Sequence, residues 1–264
     1  MYIKRSQNAL TVSKGVNFNR DLSMWCVGNL ATQPTWFKDG AVAWSLPKPV
    51  WGTCPIRQIV LHTDGEKSNF NVYSYFGNPT EVTDYVLVVD HEIYSSGSTV
   101  PALTTGTFPT GSTLTIINNS YIRGAGGNTG PTQPQGGLSG GTSIMSNMSL
   151  TIDNSAGYIW AGGGGGGMQS QWNPDNMNQR VTIGGGGAGR VVGLSVGMVR
   201  GSNGTFTTGG NGGYYNGVTG GKGGNCGDAG STGGARGGYS VQLNGNALTW
   251  IGGNDATRVK GAIV

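Results

Sequence analysis

Between residues 56 and 94, apolar and polar positions alternate in short runs. Ile56–His62 alternates loosely. Phe70–Phe76 places Phe70, Val72 and Ser74 on one face and Asn71, Tyr73 and Tyr75 on the other. Val82–Asp90 is dense in β-branched residues. A period of two with such enrichment predicts strands. Residues 95–111, rich in Ser, Thr, Gly and Pro, predict a loop. Upstream, Asn19–Asn29 sets Leu22, Trp25 and Cys26 on one face behind Asn19, as a short capped helix does. Pro34, Pro47, Pro49 and Pro55 then forbid long regular elements. Trp25, Trp36, Trp44 and Trp51 fall in this stretch and must bury large apolar surface, either in a small local core or against a docking partner.

From residue 112 the pattern echoes itself. Leu114-Thr115-Ile116 leads through Asn118-Asn119-Ser120 to Tyr121-Ile122 and Gly124. Leu150-Thr151-Ile152 leads through Asp153-Asn154-Ser155 to Tyr158-Ile159 and the glycine run 162–167. Val181-Thr182-Ile183 runs into Gly184–Gly187, and Leu248-Thr249-Trp250-Ile251 meets Gly252-Gly253. A short strand feeding glycine again and again predicts stacked or returning units.

Composition sharpens this division. Of 52 glycines in 264 residues, 9 fall in residues 1–120 and 43 in residues 121–264. The net charge of +4 lies wholly in the second part. Too little proline accompanies the glycine for collagen, and too few carboxylates for a calcium-binding repeat. No apolar stretch is long enough to span a membrane, and the start lacks a signal peptide's apolar core. Three cysteines, Cys26, Cys54 and Cys226, are too few for a disulfide scaffold. They read as reduced thiols of a protein made in a cytoplasm, with a Cys26–Cys54 bridge as the alternative.

The glycines also have a period. Gly221, Gly224, Gly227, Gly230 and Gly233 are three apart, as are Gly124, Gly127 and Gly130. Three residues per turn is the geometry of the left-handed polyproline-II helix, which glycine can also adopt. Its backbone groups point outward, and bare glycine faces let neighbouring helices exchange N–H···O=C bonds. A run such as Gly162–Gly167 is bare all round and can be enclosed. The opposing term is the large backbone entropy of glycine, and the alternative is a flexible linker.

Between the tracts lie segments of another kind. Residues 168–180 hold Met168, Gln171, Trp172, Asn173, Asn176 and Met177; farther on stand Arg190, Arg200, Phe206, Tyr214 and Tyr215. Aromatic, Met, Asn and Arg residues on held loops make a binding surface. Trp172 folded back onto the bundle is the structural alternative.

Catalytic chemistry finds little support. His62, Asp64, Glu66, Asp90, His91 and Glu92 match no ligand spacing and read as solvated strand ends. Gly184–Gly189 precedes Arg190-Val191, where a phosphate loop needs Lys-Ser/Thr. The basic residues are scattered singly, which argues against nucleic acid. No enzyme activity, cofactor or metal is expected. A glycine-rich structural protein and an ice-binding polyglycine-II bundle remain as alternatives.

The junction Leu114–Gly130, the stretch Leu150–Gly167, the tract Gly184–Gly189, the Gly-Gly tracts from Gly209 to Gly238 and the close Val241–Trp250 with Gly261–Val264 together resemble the tail-fibre tip adhesins of T-even-type bacteriophages. The resemblance covers residues 112–264. It implies a virion protein, synthesised in the host cytoplasm, that caps the distal end of a trimeric tail-fibre shaft. It also implies a stack of polyglycine-II helices whose loops recognise an outer-membrane protein of a Gram-negative host, commonly a porin-like barrel, or a surface glycan. The expected organisation is a mainly β attachment domain, residues 1–111, followed by a glycine-rich receptor-binding domain, residues 112–264, with little α-helix. Trp25, Trp36, Trp44 and Trp51 are the candidate fibre contacts.

Overall fold

The computed structural model describes residues 5–6, 9–10, 22–23, 25, 27, 31–33, 45–52, 58–130, 136–172, 179–195, 201–215 and 217–264. The chain divides into two compact units, Met1–Arg57 and Gln58–Val264. In the first, strands β1 (Arg5–Ser6) and β2 (Ala9–Leu10) pair antiparallel. Leu22 and Val27 are buried, and the Leu22 N–H donates to the Pro47 carbonyl. Trp25 and Trp51 are half-buried. Trp36, Trp44, Cys26 and Cys54 lie outside the described residues, as does most of the expected helix Asn19–Asn29.

In the second unit the strands take three sides in rotation. The first circuit is β3 (Gln58–His62), β4 (Lys67–Ser68) and β5 (Phe70–Asn71), followed by a short helix α1 (Val72–Tyr75). The second is β6 (Asp84–Val89), β7 (Ile93–Tyr94) and β8 (Leu103–Thr104); the third is β9 (Thr113–Asn118), β10 (Tyr121–Arg123) and β11 (Ile144–Met145). The fourth starts with β12 (Leu150–Asp153) and β13 (Tyr158–Trp160). After two hairpins, β14 (Gln169–Trp172) with β15 (Gln179–Thr182) and β16 (Tyr214–Tyr215) with β17 (Val218–Thr219), it closes with β18 (Tyr239–Gln242). The fifth is β19 (Leu248–Gly252), β20 (Val259–Lys260) and β21 (Ala262–Ile263). Three five-stranded sheets result: β3-β6-β9-β12-β19 on the first side, β4-β7-β10-β13-β20 on the second and β5-β8-β11-β18-β21 on the third. Neighbouring strands in all three run parallel. This is a three-sided parallel solenoid.

Its core is a set of aliphatic columns. Ile93, Ile122 and Ile159 stack in register on the second side, and Leu103, Ile144 and Val241 on the third; all are fully buried. Tyr85, Leu87, Leu114, Ile116, Leu150 and Ile152 fill the first side. Each such side chain contributes about 1.5–3 kcal/mol by leaving water. Because the columns repeat once per circuit, the echo between Leu114–Ile122 and Leu150–Ile159 is one circuit of the solenoid.

Four sequence expectations change. Phe70–Phe76 is not one strand: β5 stops at Asn71, whose side chain accepts the Ser74 N–H at 2.9 Å and caps α1. That local bond overrides the alternation. The loop expected over 95–111 contains β8, and Val181-Thr182 pairs locally in a hairpin instead of joining the solenoid. The boundary expected at 111/112 falls inside the solenoid, where β9 pairs with β6 from Asp84↔Thr113 onward; the chain divides instead at Arg57/Gln58. Glycine density marks insertions into a repeating fold and was the wrong guide to a boundary.

Those insertions share one corner, between the second and third sides. There the chain needs only Asn69 in the first circuit and Gly261 in the fifth, but residues 124–143 in the third and 161–238 in the fourth. The tracts of this outgrowth are bonded in rotation. Gly162 and Gly165 donate to the carbonyls of Gly141 and Leu138; Gly163 and Gly166 to Ala188 and Gly185; Gly164 and Gly167 to Asp228 and Ser231, all at 2.8–3.1 Å. The carbonyls of Gly162, Gly163 and Gly164 accept from Gly238, Gly127 and Gly224. Tract 162–167 is thus surrounded, with hydrogen-bonding directions repeating every three residues. A Cβ on any of its glycines would run into backbone of a neighbouring tract.

Candidate functional site

The pairing directions show how the outgrowth is threaded. Tract 162–167 leads away from β13, and Gly184–Gly189 returns, since the donors Gly163 and Gly166 meet Ala188 and Gly185 in reverse order. Asp228–Ser231 runs outward beside Gly164–Gly167, and Gly221–Gly224 runs back beside Gly185–Ala188. Connections therefore alternate between a far end and a root beside the solenoid.

The far end carries the two hairpins. Gln171 and Trp172 on β14 stand opposite Arg180 and Gln179 on β15, and Tyr214 and Tyr215 stand opposite Thr219 and Val218. Strands β14 and β17 lie side by side. Met168 is half-buried at the start of the first hairpin, Tyr215 is half-buried, and Tyr214 is 68% exposed. Asn173, Asn176, Met177 and Arg200 lie outside the described residues.

Arg190 and Phe206 are elsewhere. They sit on root turns and fold against the outer face of the second side. The Phe206 ring covers the Arg123 guanidinium at 3.7 Å, and Tyr121 packs on it at 3.8 Å. Arg123 is 3% exposed and pairs with Glu92 at 3.4 Å. Arg190 reaches the other Glu92 oxygen at 3.3 Å and Glu66 at 3.4 Å. Burial pushes the Glu92 carboxyl above its ordinary range, against the opposing pull of Arg123 and Arg190. Burial likewise pulls Arg123 down, with Glu92 opposing. The Cys226 thiol, raised by burial, donates to the Phe206 carbonyl and ties a further root turn to this one.

Glu92, read from the sequence as a solvated strand end, is instead held between Arg123 and Arg190 with its side chain 14% exposed. Arg123 and Tyr121 were not singled out by the sequence, though a signal was present. In Tyr121-Ile122-Arg123 the middle residue is the core residue, so its neighbours must face outward.

The acidic and histidine residues at the corners make a structural ladder. His62 Nδ1 lies 2.6 Å from Asp90, which also accepts from Asn119 at 2.9 Å; both contacts hold the Asp90 carboxyl below its usual range. His91 Nδ1 lies 3.0 Å from the Thr63 carbonyl. Among the described residues, no three His, Cys, Asp or Glu side chains are grouped to hold a metal, and no helix is long and apolar enough to cross a membrane.

The three-sided solenoid with its glycine outgrowth has a match among known proteins. The family model for phage tail fibre adhesin Gp38 matches residues 58–264, the whole second unit. The chain belongs to the phage tail fibre adhesin Gp38 family. The match begins well before the glycine-rich part, so the family fold includes the solenoid. The chain is also similar to the crystal structure of the gp37–gp38 adhesin tip complex of the bacteriophage S16 long tail fibre. The TM-score is 0.59 and the identity 23%, over 88% of this chain and 99% of that one. No curated protein matches the chain.

Proposed function

We propose that this tail fibre adhesin is a non-enzymatic receptor-binding protein at the tip of a phage tail fibre, whose far-end hairpins and connections recognise an outer-membrane protein of a Gram-negative host. The observation carrying this reading is the placement of β14–β15 and β16–β17 beside one another at the far end, with Tyr214 strongly exposed. Rigid aromatics supply contact area at low entropy cost, and rooted tracts hold them in place. Met168, Gln171, Trp172, Asn173, Asn176, Met177, Arg200, Tyr214 and Tyr215 remain its contact candidates. Arg190 and Phe206, placed at the root, are assigned a different part below.

The tracts are read as polyglycine-II helices, on the three-residue repeat of their hydrogen bonds. The S16 relative is a gp37–gp38 complex, and by that likeness the partner of this chain is the distal end of a tail-fibre shaft. One feature supports a docking surface: among the described residues no strand pairs with the outer edge of β3, where Ile59 and Val60 are exposed. Trp25, Trp36, Trp44 and Trp51 remain the other candidate fibre contacts. Synthesis in the host cytoplasm and assembly onto the virion follow from this reading.

Adsorption of purified protein to a panel of host strains, each lacking one outer-membrane protein or surface glycan, tests it. Binding lost in a strain lacking one such protein supports the assignment. Loss only in glycan-deficient strains moves the receptor to a sugar. No binding to any Gram-negative strain overturns the adhesin reading.

A further inference from the structure

The outgrowth is joined to the solenoid by four chain crossings: Arg123–Gly124, Ser143–Ile144, Trp160–Ala161 and Gly238–Tyr239. All four lie on the corner between the second and third sides, two leaving the ends of β10 and β13 and two returning at the starts of β11 and β18 in neighbouring circuits. Crossings gathered along one edge act as a hinge, about which the outgrowth can swing unless something away from that edge fixes it. What lies off it is the set of root turns pressed on the outer face of the second side.

We propose that Arg123 is a positioning residue that locks this hinge and so sets the angle at which the far-end hairpins are presented. It grows from the solenoid on β10 and is 3% exposed. Two root turns converge on it. Phe206 stacks on its guanidinium face at 3.7 Å. Arg190 meets it through Glu92, whose two oxygens take Arg123 at 3.4 Å and Arg190 at 3.3 Å. The Tyr121 ring also packs on the guanidinium, at 3.8 Å. A planar, permanently charged group is suited to stack and pair at once, which Lys does not do. Within the outgrowth the hydrogen bonds fix tract to tract; against the solenoid the body is held at this contact, beside the Arg190–Glu66 pair and the Gly227 turn on Lys260–Gly261. The claim about presentation rests on the receptor-binding reading above.

The test uses the full chain with spin labels attached through non-canonical residues at Thr219, on β17, and Thr249, on β19, both exposed. Electron–electron resonance reads the distance between them, and hydrogen exchange reads the amides of Gly162–Gly167. The wild type should give one narrow distance. Arg123→Gln and Phe206→Leu should each broaden it while the glycine amides stay protected. Phe206→Tyr, which keeps a ring over the guanidinium, should restore it. Adsorption to the best-bound strain should fall about tenfold in the two broadened variants. A distance as narrow as wild type in Phe206→Leu overturns the hinge lock, and that variant decides should Arg123→Gln lose the fold. A broadened distance with undiminished adsorption overturns the link to presentation. If the wild type adsorbs to no strain, the receptor reading falls, while the distances still decide whether Arg123 locks the hinge.

Discussion

Asn118 donates its side-chain amide to Asn154 Oδ1 at 2.7 Å, 36 residues further along, and both residues are fully buried. Asn154 in turn donates to the Gly253 carbonyl at 2.9 Å. Three successive circuits are thereby joined at the corner between the first and second sides. Such a column satisfies polar groups that an aliphatic column cannot, and it fixes the vertical register of the circuits.

Asn118→Ala should therefore cost about 1–3 kcal/mol, because Asn154 Oδ1 loses its donor in a buried place. Urea unfolding of the two proteins measures it. A loss under about 0.5 kcal/mol would mean that water replaces the amide at this corner.

This column explains how much the sequence disclosed. The echo of Asn118-Asn119-Ser120 in Asp153-Asn154-Ser155 was readable, and so was the return of strands to a common place. The three sides were not. Strands as short as β7 and β8 carry too few residues for a period of two, and their pairing partners lie in other circuits. The glycine period was readable because close packing of backbones imposes it at every turn. The root of the outgrowth was hidden for the opposite reason. Arg190 and Phe206 look like exposed recognition residues in sequence, and only the out-and-back threading brings them to Arg123.

Gly164→Val should destabilise the fold by several kcal/mol, beyond the ~1–3 kcal/mol usual for overpacking, since the added carbon meets the Ala235 carbonyl and not a movable side chain. Gly97→Ala is the control. Its Cβ points into open space, so the change should stay within about 0.5 kcal/mol. Thermal melting of both variants checks the pair; equal midpoints would refute enclosure of the central tract.

The buried carboxylate at the root gives a pH prediction. Glu92 has its pKa raised on folding, so its contribution to stability is fully present below its ordinary value of 4.5 and is lost as pH rises through the folded value. Glu92→Gln removes that dependence. Relative to wild type, the variant should gain stability between pH 4 and pH 7, the range around and above the ordinary carboxylate value. Urea unfolding at both ends of the range reads the difference. If wild type gains instead, attraction to Arg123 and Arg190 outweighs the loss of hydration, contrary to the direction stated above.

The far end and the root should respond differently to loss of an aromatic ring. Tyr214 lies on a two-residue strand at the far end and is 68% exposed, so its ring is free to enter a partner's surface. Trp172 lies on β14, the strand beside the hairpin that carries Tyr214. Aromatic anchors that become buried on binding contribute at least ~2 kcal/mol each, about thirtyfold in affinity. Tyr214→Ala and Trp172→Ala should each reduce adsorption by that order while leaving the distance between labels at Thr219 and Thr249 as narrow as in wild type. Phe206→Leu should reduce adsorption only together with a broadened distance, because its ring serves the root. Cell adsorption and label distance, measured on the same three proteins, separate contact from presentation. If Trp172→Ala lowers the melting temperature and leaves adsorption intact, its ring caps the glycine tracts, and recognition rests on the hairpin of Tyr214.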